Sequence, residues 1–160
     1  MSMIETIILR EPWDVDRRLA ELHLGPLTRL LKVVAVAISA GADATAFHPA
    51  NAAGTFSYQH GTWALRDEFV GDAWLLDRPD GVEAIRNDAT KVKVIFANVD
   101  VSCNDKQKPK PRSRKGAGAE RVSSGTCLAR CRSLRLANPM GGLPTTLWLT
   151  KMAPQNLRVL

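Results

Sequence analysis

The chain has 160 residues, of which 45 % are hydrophobic and 24 % are charged, a composition typical of a soluble globular domain long enough to bury its own core. This excludes a disordered or collagen-like chain, and the longest largely apolar run, residues 33–39, is far shorter than the roughly 20 residues that a membrane span needs. The net charge of +6 suggests a nucleic-acid partner, yet residues 1–120 hold 16 basic and 16 acidic residues, so the whole excess lies in the last quarter of the chain.

The first third of the chain predicts one strand and two helices. Residues 4–9 are rich in β-branched side chains and favour a short strand. Asp14 is placed to cap a helix over residues 15–24, and Pro26 is placed to begin a second helix that ends near Gly41. The second helix carries an apolar stripe at helical spacing, which we expect to face the core: Leu27, Leu30, Leu31, Val34 and Ile38.

The middle of the chain predicts a loop followed by a short helix. Residues 42–55 contain Ala, Asn, Gly and Pro without any period, which is typical of a loop. Residues 63–70 favour a short helix that turns Trp63 and Phe69 toward the core.

Residues 74–101 predict a three-stranded antiparallel meander. The sequence Pro79-Asp80-Gly81 suits the first turn, because proline presets the second turn position and glycine adopts the left-handed conformation that closes it. Asn87-Asp88 suits the second turn, and residues 91–96 alternate polar and apolar side chains, as a half-buried strand does. We therefore expect an α+β domain over residues 1–103, with the N-terminal helical pair packed on one face of this small sheet.

A basic segment rich in proline and glycine follows, over residues 104–121. This composition cannot bury a core and is typical of a linker or a mobile arm. Spaced cations on such a backbone suit the tracking of phosphates, because they release counterions when they meet a polyanion. The absence of aromatic residues from the segment disfavours base stacking. The candidate nucleic-acid-binding residues are Lys106, Lys108, Lys110, Arg112, Arg114 and Lys115.

The same segment carries a resemblance to known sequences. Residues 109–121 read PKPRSRKGAGAER, and they follow residues 96–100, which read FANVD. These stretches resemble a group of uncharacterised proteins carried on proteobacterial mobile elements, over roughly residues 10–121. The resemblance implies a bacterial, cytoplasmic setting and brings no activity with it.

Residues 122–160 depart from that pattern, because they hold no acidic residue and their apolar positions follow no period. One hypothesis is a shift of the reading frame shortly after Ser124. Degenerate codons for residues 137–159, read two bases along, can encode a strand with aromatic residues followed by an Asp-Glu-Asp-Gly turn. The alternative is a genuine irregular extension. The nucleotide sequence around codons 122–140 distinguishes the two hypotheses. Only the shift predicts that a second reading frame stays open through and beyond these codons.

Metal-binding and nucleophilic patterns are weak. Cys103, Cys127 and Cys131 have neither Cys-x-x-Cys spacing nor a paired histidine, so they do not indicate a zinc site. An odd number of cysteines favours a reducing compartment, and no signal peptide is expected at the N-terminus. His48 and His60 flank a loop and are compatible with a small hydrolase, although no serine lies in a nucleophile elbow.

Asp80 and Asp100 carry the remaining catalytic alternative. Asp80, together with Glu83 or Asp88, would be a metal-binding carboxylate of a nuclease, and Asp100 would bind a cation at the end of the last strand. Turn geometry explains Asp80 fully, and no acid stands two residues before a lysine, as that nuclease pattern requires. No glycine-rich nucleotide loop occurs, and no cofactor is expected.

Two function classes remain. The first is a non-enzymatic accessory protein of a bacterial mobile element that binds nucleic acid or a nucleoprotein through the basic arm. The second is a small hydrolase or metal-dependent nuclease that uses His48, His60, Asp80 and Asp100. The missing motifs favour the first.

Overall fold

The computed structural model describes Leu9, residues 11–100 and two further strands at 133–134 and 145–151. Three helices come first and the strands follow. The helices are α1 (Pro12–Glu21), α2 (Leu27–Ala42) and α3 (Ala52–Phe69); the strands are β1 (Leu75–Asp77), β2 (Ala84–Asn87), β3 (Val92–Asn98), β4 (Ser133–Leu134) and β5 (Thr145–Lys151), with a short 3-10 turn at Pro79–Gly81 between β1 and β2.

The strands form one antiparallel sheet in the order β1-β2-β3-β5-β4. The predicted meander is confirmed by the first three strands. Gly81 has a φ of 77°, the left-handed conformation expected of the glycine that closes the turn. At the second turn, the Asn87 side-chain oxygen accepts the backbone N–H groups of Ala89 and Thr90, each at 3.0 Å. These local bonds hold the register in which Ile85 faces Val94.

Helices and sheet share one core, which confirms the α+β class. Along β3, Val92, Val94 and Phe96 are buried on the face that meets the helices, whereas Lys93 and Ile95 between them are only partly buried. The core cluster also takes residues from all three helices, from β2, and from the positions just before α2 and β1: Leu19, Leu24, Leu30, Val33, Val34, Ala37, Ala64, Leu65, Phe69, Trp74 and Ile85.

The boundaries of the first two helices differ from the prediction. Helix α1 begins at Pro12, because proline suits the first helical position and the Glu11 carbonyl accepts the N–H groups of Asp14 and Val15 at 3.1 Å. Asp14 therefore lies in the first turn instead of capping it. Helix α2 continues through Gly41, which is buried inside the helix and is not its cap.

Helix α3 is longer than predicted: its first turn, residues 52–55, was assigned to the loop, and residues 56–62 were assigned to no element. Its buried side uses Ser57, Gly61, Thr62 and Ala64 beside a few large apolar residues, so no apolar period marks it. The Ser57 hydroxyl donates to the Ala37 carbonyl of α2 at 2.8 Å, which satisfies this buried polar group.

Of the two aromatic residues of α3 that were predicted to face the core, one is buried and the other is exposed. Phe69 is buried, which confirms that prediction, but Trp63 is 58 % exposed and the prediction for it was wrong. Trp63 lies on the face of α3 that turns away from both α2 and the sheet, together with Gln59 and Asp67.

Several predicted segments fall wholly or partly outside the described residues. These are the basic arm at 104–121 and the first strand, of which only Leu9 is described and is not in a strand. Within residues 122–160, β4 and β5 are regular strands, so this region is not irregular throughout. Among the residues described, no helix is both long and apolar enough to cross a membrane.

Leu30 and Leu31 provide a matched pair for testing which stripe of α2 is core. Leu30 is 1 % exposed and Leu31 is 37 % exposed, because the two lie about 100° apart around the helix. We expect Leu30→Ala to lower the free energy of unfolding by about 2–5 kcal/mol, and Leu31→Ala, predicted from the sequence to be equally costly, to have a much smaller effect. Equal shifts of the two urea midpoints would contradict this orientation of α2.

Truncation after Arg121 tests the boundary of the folded unit. Every described member of the core cluster lies between Leu19 and Phe96, so we expect the truncated chain to unfold in a single cooperative transition in urea. Its midpoint carries further information, because β5 pairs with β3 over seven residues. An unchanged midpoint supports the frame-shift hypothesis, and a lowered one makes β5 a native part of the sheet. Loss of cooperativity would contradict a self-sufficient core.

Candidate functional site

The structure places the four candidate catalytic residues on four different segments. His48 lies in the loop between α2 and α3, and His60 lies within α3, not in a loop, because the helix already begins at Ala52. Asp80 belongs to the turn between β1 and β2, and Asp100 follows the end of β3, where it is exposed. Among the side chains that the structure describes, no group of three or more His, Cys, Asp or Glu could hold a metal ion.

His48 has a structural role in its loop. Its Nδ1 atom accepts the backbone N–H of Thr45 at 3.0 Å and lies 2.9 Å from the Thr45 hydroxyl oxygen. Its ring stands edge-on to the Phe56 ring, with 5.2 Å between the centroids and 85° between the planes. The imidazole therefore ties the loop to itself and to the first turns of α3.

This loop, residues 43–51, presents one large apolar side chain to solvent, and we call it the Phe47 loop. Phe47 is 100 % exposed, although the backbone on either side of it is fixed. The N–H of His48 donates to the Thr45 carbonyl at 3.1 Å, and the N–H of Ala52 donates to the Pro49 carbonyl at 2.9 Å. Phe47 is therefore an exposed aromatic side chain on a loop that is held by its own hydrogen bonds. The sequence offered one sign of it, an aromatic residue inside a predicted loop.

A concave site lies at the other end of the helices, where α1 turns into α2, and we call it the corner pocket. It has a volume of about 460 Å³. Two separate stretches form it, residues 16–29 and residues 69–74, so no local sequence pattern could reveal it. Its apolar lining is Ala20, Pro26, Phe69, Ala73 and Trp74, and its polar lining is Asp16, His23 and Arg29.

Internal contacts hold the polar groups of the corner pocket in place. The Asp16 carboxylate accepts the Leu27 N–H at 2.8 Å, which satisfies the first amide of α2. The Arg29 guanidinium lies 4.3 Å from the centroid of the Phe69 ring, and its Nε donates to the Glu68 carboxylate at 2.8 Å. The pocket is therefore preformed.

The indole of Trp74 forms the buried part of the corner pocket. Its Nε1–H donates to the His23 carbonyl at 2.8 Å, so the polar atom of this buried ring is satisfied. His23 has a φ of 59°, a conformation that turns the chain out of α1 toward Pro26. The connection between the first two helices is thereby fixed to the start of the sheet.

An ion-pair cluster joins α3 to the sheet on the side of the β1–β2 turn. The Glu83 carboxylate accepts hydrogen bonds from Arg66 of α3 and from Arg78, the latter at 3.0 Å. Partial burial raises the pKa of Glu83, but the hydrogen bonds and positive charges of Arg66 and Arg78 outweigh it, so the pKa lies below its ordinary value of 4.5.

The lowered pKa of Glu83 predicts a pH-dependent contribution to stability. A carboxyl whose pKa is lower in the folded than in the unfolded state stabilises the fold above its unfolded pKa, and this contribution is lost as the pH falls through the folded pKa. We therefore expect Glu83→Gln to lower the free energy of unfolding near neutral pH, by about 1 kcal/mol or less at this exposure. In strong acid the variant and the parent should be equally stable.

Urea denaturation at a series of pH values measures the difference in the free energy of unfolding between the parent and Glu83→Gln. Asp67→Asn, which removes an exposed carboxylate from α3, controls for the loss of one negative charge. A stability difference for Glu83→Gln that persists unchanged into strong acid would contradict the ionic origin of the contribution.

Comparison with known proteins finds no relative of this chain. Neither family models, nor curated proteins, nor solved structures give a match to this chain.

Proposed function

We propose that this protein is a non-enzymatic accessory protein of a bacterial mobile element, and that it binds nucleic acid or a nucleoprotein through the basic arm, Lys106–Lys115. The arm lies outside the described residues, so the support comes from the domain to which it is attached and from the distribution of charge along the chain.

The observation that carries the proposal is a separation of charge. Residues 11–100 hold nine Lys or Arg and thirteen Asp or Glu, which gives a net charge of −4. Residues 101–121 hold seven Lys or Arg and two acids, a net charge of +5 in a much shorter segment. Residues 122–160 add five Lys or Arg and no acid. A polyanion is therefore repelled by residues 11–100 and attracted by the arm and by this tail, and the proposal assigns the binding to the arm.

The pairing of the domain's own cations supports this division. At least eight of the nine basic side chains of residues 11–100 lie in ion pairs with acids of the same domain. Arg29, for example, is shared between the Glu68 carboxylate and the Phe69 ring. Such cations have internal partners, so they release few counterions when DNA or RNA approaches.

The composition of the arm indicates which part of a nucleic acid it would contact. Phosphate contacts position a protein on nucleic acid, and base contacts specify the sequence. The arm offers Lys and Arg between prolines and glycines and no aromatic side chain. We therefore assign it sequence-independent binding to the phosphate backbone.

Two triple variants with the same change in net charge test the proposal in the full chain. The arm variant replaces Lys106, Lys108 and Lys110 with Gln, and the domain variant replaces Arg17, Lys32 and Lys91 with Gln. We expect the arm variant to bind duplex DNA more weakly whatever its sequence. Its log–log salt slope should be shallower by up to about 0.9 for each phosphate that the arm no longer neutralises.

The domain variant should retain the salt slope of the parent chain. The cations of residues 122–160 are the same in all three proteins, so they do not contribute to the difference between the slopes. Binding titrations over a range of salt concentrations provide the slopes. The proposal fails if the parent chain binds neither DNA nor RNA at low salt, or if the two triple variants weaken binding equally.

A further inference from the structure

A ring nitrogen of His48 accepts a backbone hydrogen bond in the Phe47 loop, and this contact selects the charge state of the ring. The Thr45 N–H donates to Nδ1 of His48 at 3.0 Å. A nitrogen that accepts a hydrogen bond has a free lone pair, so Nδ1 carries no proton and the single ring proton lies on Nε2. The hydrogen bond therefore exists only while His48 is uncharged.

Protonation of the His48 ring makes this contact repulsive. Both nitrogens of an imidazolium are donors, so the new proton on Nδ1 would point at the proton of the Thr45 N–H. The Thr45 hydroxyl oxygen, 2.9 Å from Nδ1, can rotate and accept that proton. The backbone N–H cannot rotate, because the peptide plane fixes its direction. The Thr45 amide must therefore move away from a charged ring.

The position of Phe47 depends on the same pair of residues. The His48 N–H donates to the Thr45 carbonyl at 3.1 Å, so Ala46 and Phe47 form the tip of a short turn that Thr45 and His48 close. Phe47 is 100 % exposed, and packing on the rest of the fold does not hold its ring in place. The hydrogen bonds of the turn therefore decide where Phe47 points.

The helices on either side of the loop carry three other titratable groups near it. These are Asp43 at the end of α2, and Tyr58 and His60 on α3. In the part of the chain that the structure describes, none of the three is hydrogen-bonded to the His48 ring, which contacts Thr45 and Phe56. Since Thr45 and Phe56 do not titrate, the charge on His48 itself controls the Thr45 contact.

We propose that the Phe47 loop is a pH-sensitive switch, in which neutral His48 holds the turn closed and protonated His48 releases it. Histidine is the side chain that gains a charge just below neutral pH, so the turn is closed near neutral pH and opens as the pH falls. One exposed hydrogen bond changes such an equilibrium by about twofold to tenfold. The switch lies within residues 43–56, so it is independent of the proposed binding of nucleic acid by the arm.

Amide exchange with solvent, measured by NMR on the full chain, tests the proposal between about pH 8 and pH 5. We expect the protection of the Thr45 amide, relative to its intrinsic exchange rate at each pH, to fall by about twofold to tenfold toward the acid end. His48→Asn offers an amide oxygen that accepts the Thr45 N–H and does not titrate, so its protection should not change with pH. His60→Asn is the matched control, because it removes another exposed imidazole and should behave like the parent.

His48→Ala removes the acceptor and should leave the Thr45 amide unprotected over the whole pH range. The proposal is overturned if the Thr45 amide of the parent is equally protected at both ends of the range, the result expected if the Thr45 hydroxyl alone holds the charged ring. It is also overturned if His48→Asn loses protection in acid as the parent does, or if His48→Ala is as protected as the parent near pH 8. An equal fall at the core amides of Leu65 and Val94 would show global unfolding and would overturn it too.

Discussion

The fold depends on the close approach of helix α3 to strand β3 at Gly61. A Cβ atom built on Gly61 would lie 2.3 Å from Cζ of Phe96, far inside van der Waals contact, so only glycine leaves room for the tip of the Phe96 ring at the helix backbone. Phe96 is completely buried at this point. The helix can therefore pack closely on the sheet, and two of its other buried positions, Ser57 and Ala64, are also small.

The contact between Gly61 and Phe96 also positions the Phe47 loop and the corner pocket. With α3 seated on β3 and packed along α2, its first turn lies at the end of β3, where the Asn98 amide donates to the Gly54 carbonyl at 2.7 Å. Its last turn brings Phe69 to the bend between α1 and α2. The Phe47 loop thus projects from one end of the helical layer and the corner pocket opens at the other. The arm proposed to bind nucleic acid follows this domain in the sequence, and residues 11–100 carry a net charge of −4.

Sequence patterns predicted those parts of the fold that depend only on neighbouring residues. The turn at Gly81 and the alternation along β3 follow from backbone conformation and two-residue periodicity, and both are confirmed. Helix α3 was missed over its first half because its buried side is built from small and polar residues, which give no apolar stripe. Leu31 and Trp63 were assigned to the core by spacing and hydrophobicity, but the direction in which a helix face points depends on its tertiary neighbours. The corner pocket joins residues 16–29 to residues 69–74, so it was beyond any local pattern.

The central claim is that α3 lies on β3 through Gly61, and two glycines of the same helix test it most directly. In both Gly61→Ala and Gly54→Ala, alanine is the better helix former by up to about 1 kcal/mol. A Cβ on Gly54 would meet only the Asn98 amide, at 3.8 Å. Urea unfolding should therefore show Gly54→Ala to be neutral or stabilising, and Gly61→Ala to be destabilised by about 1–3 kcal/mol or more through overpacking against Phe96. A Gly61→Ala protein as stable as the Gly54→Ala protein would contradict this packing of helix on sheet.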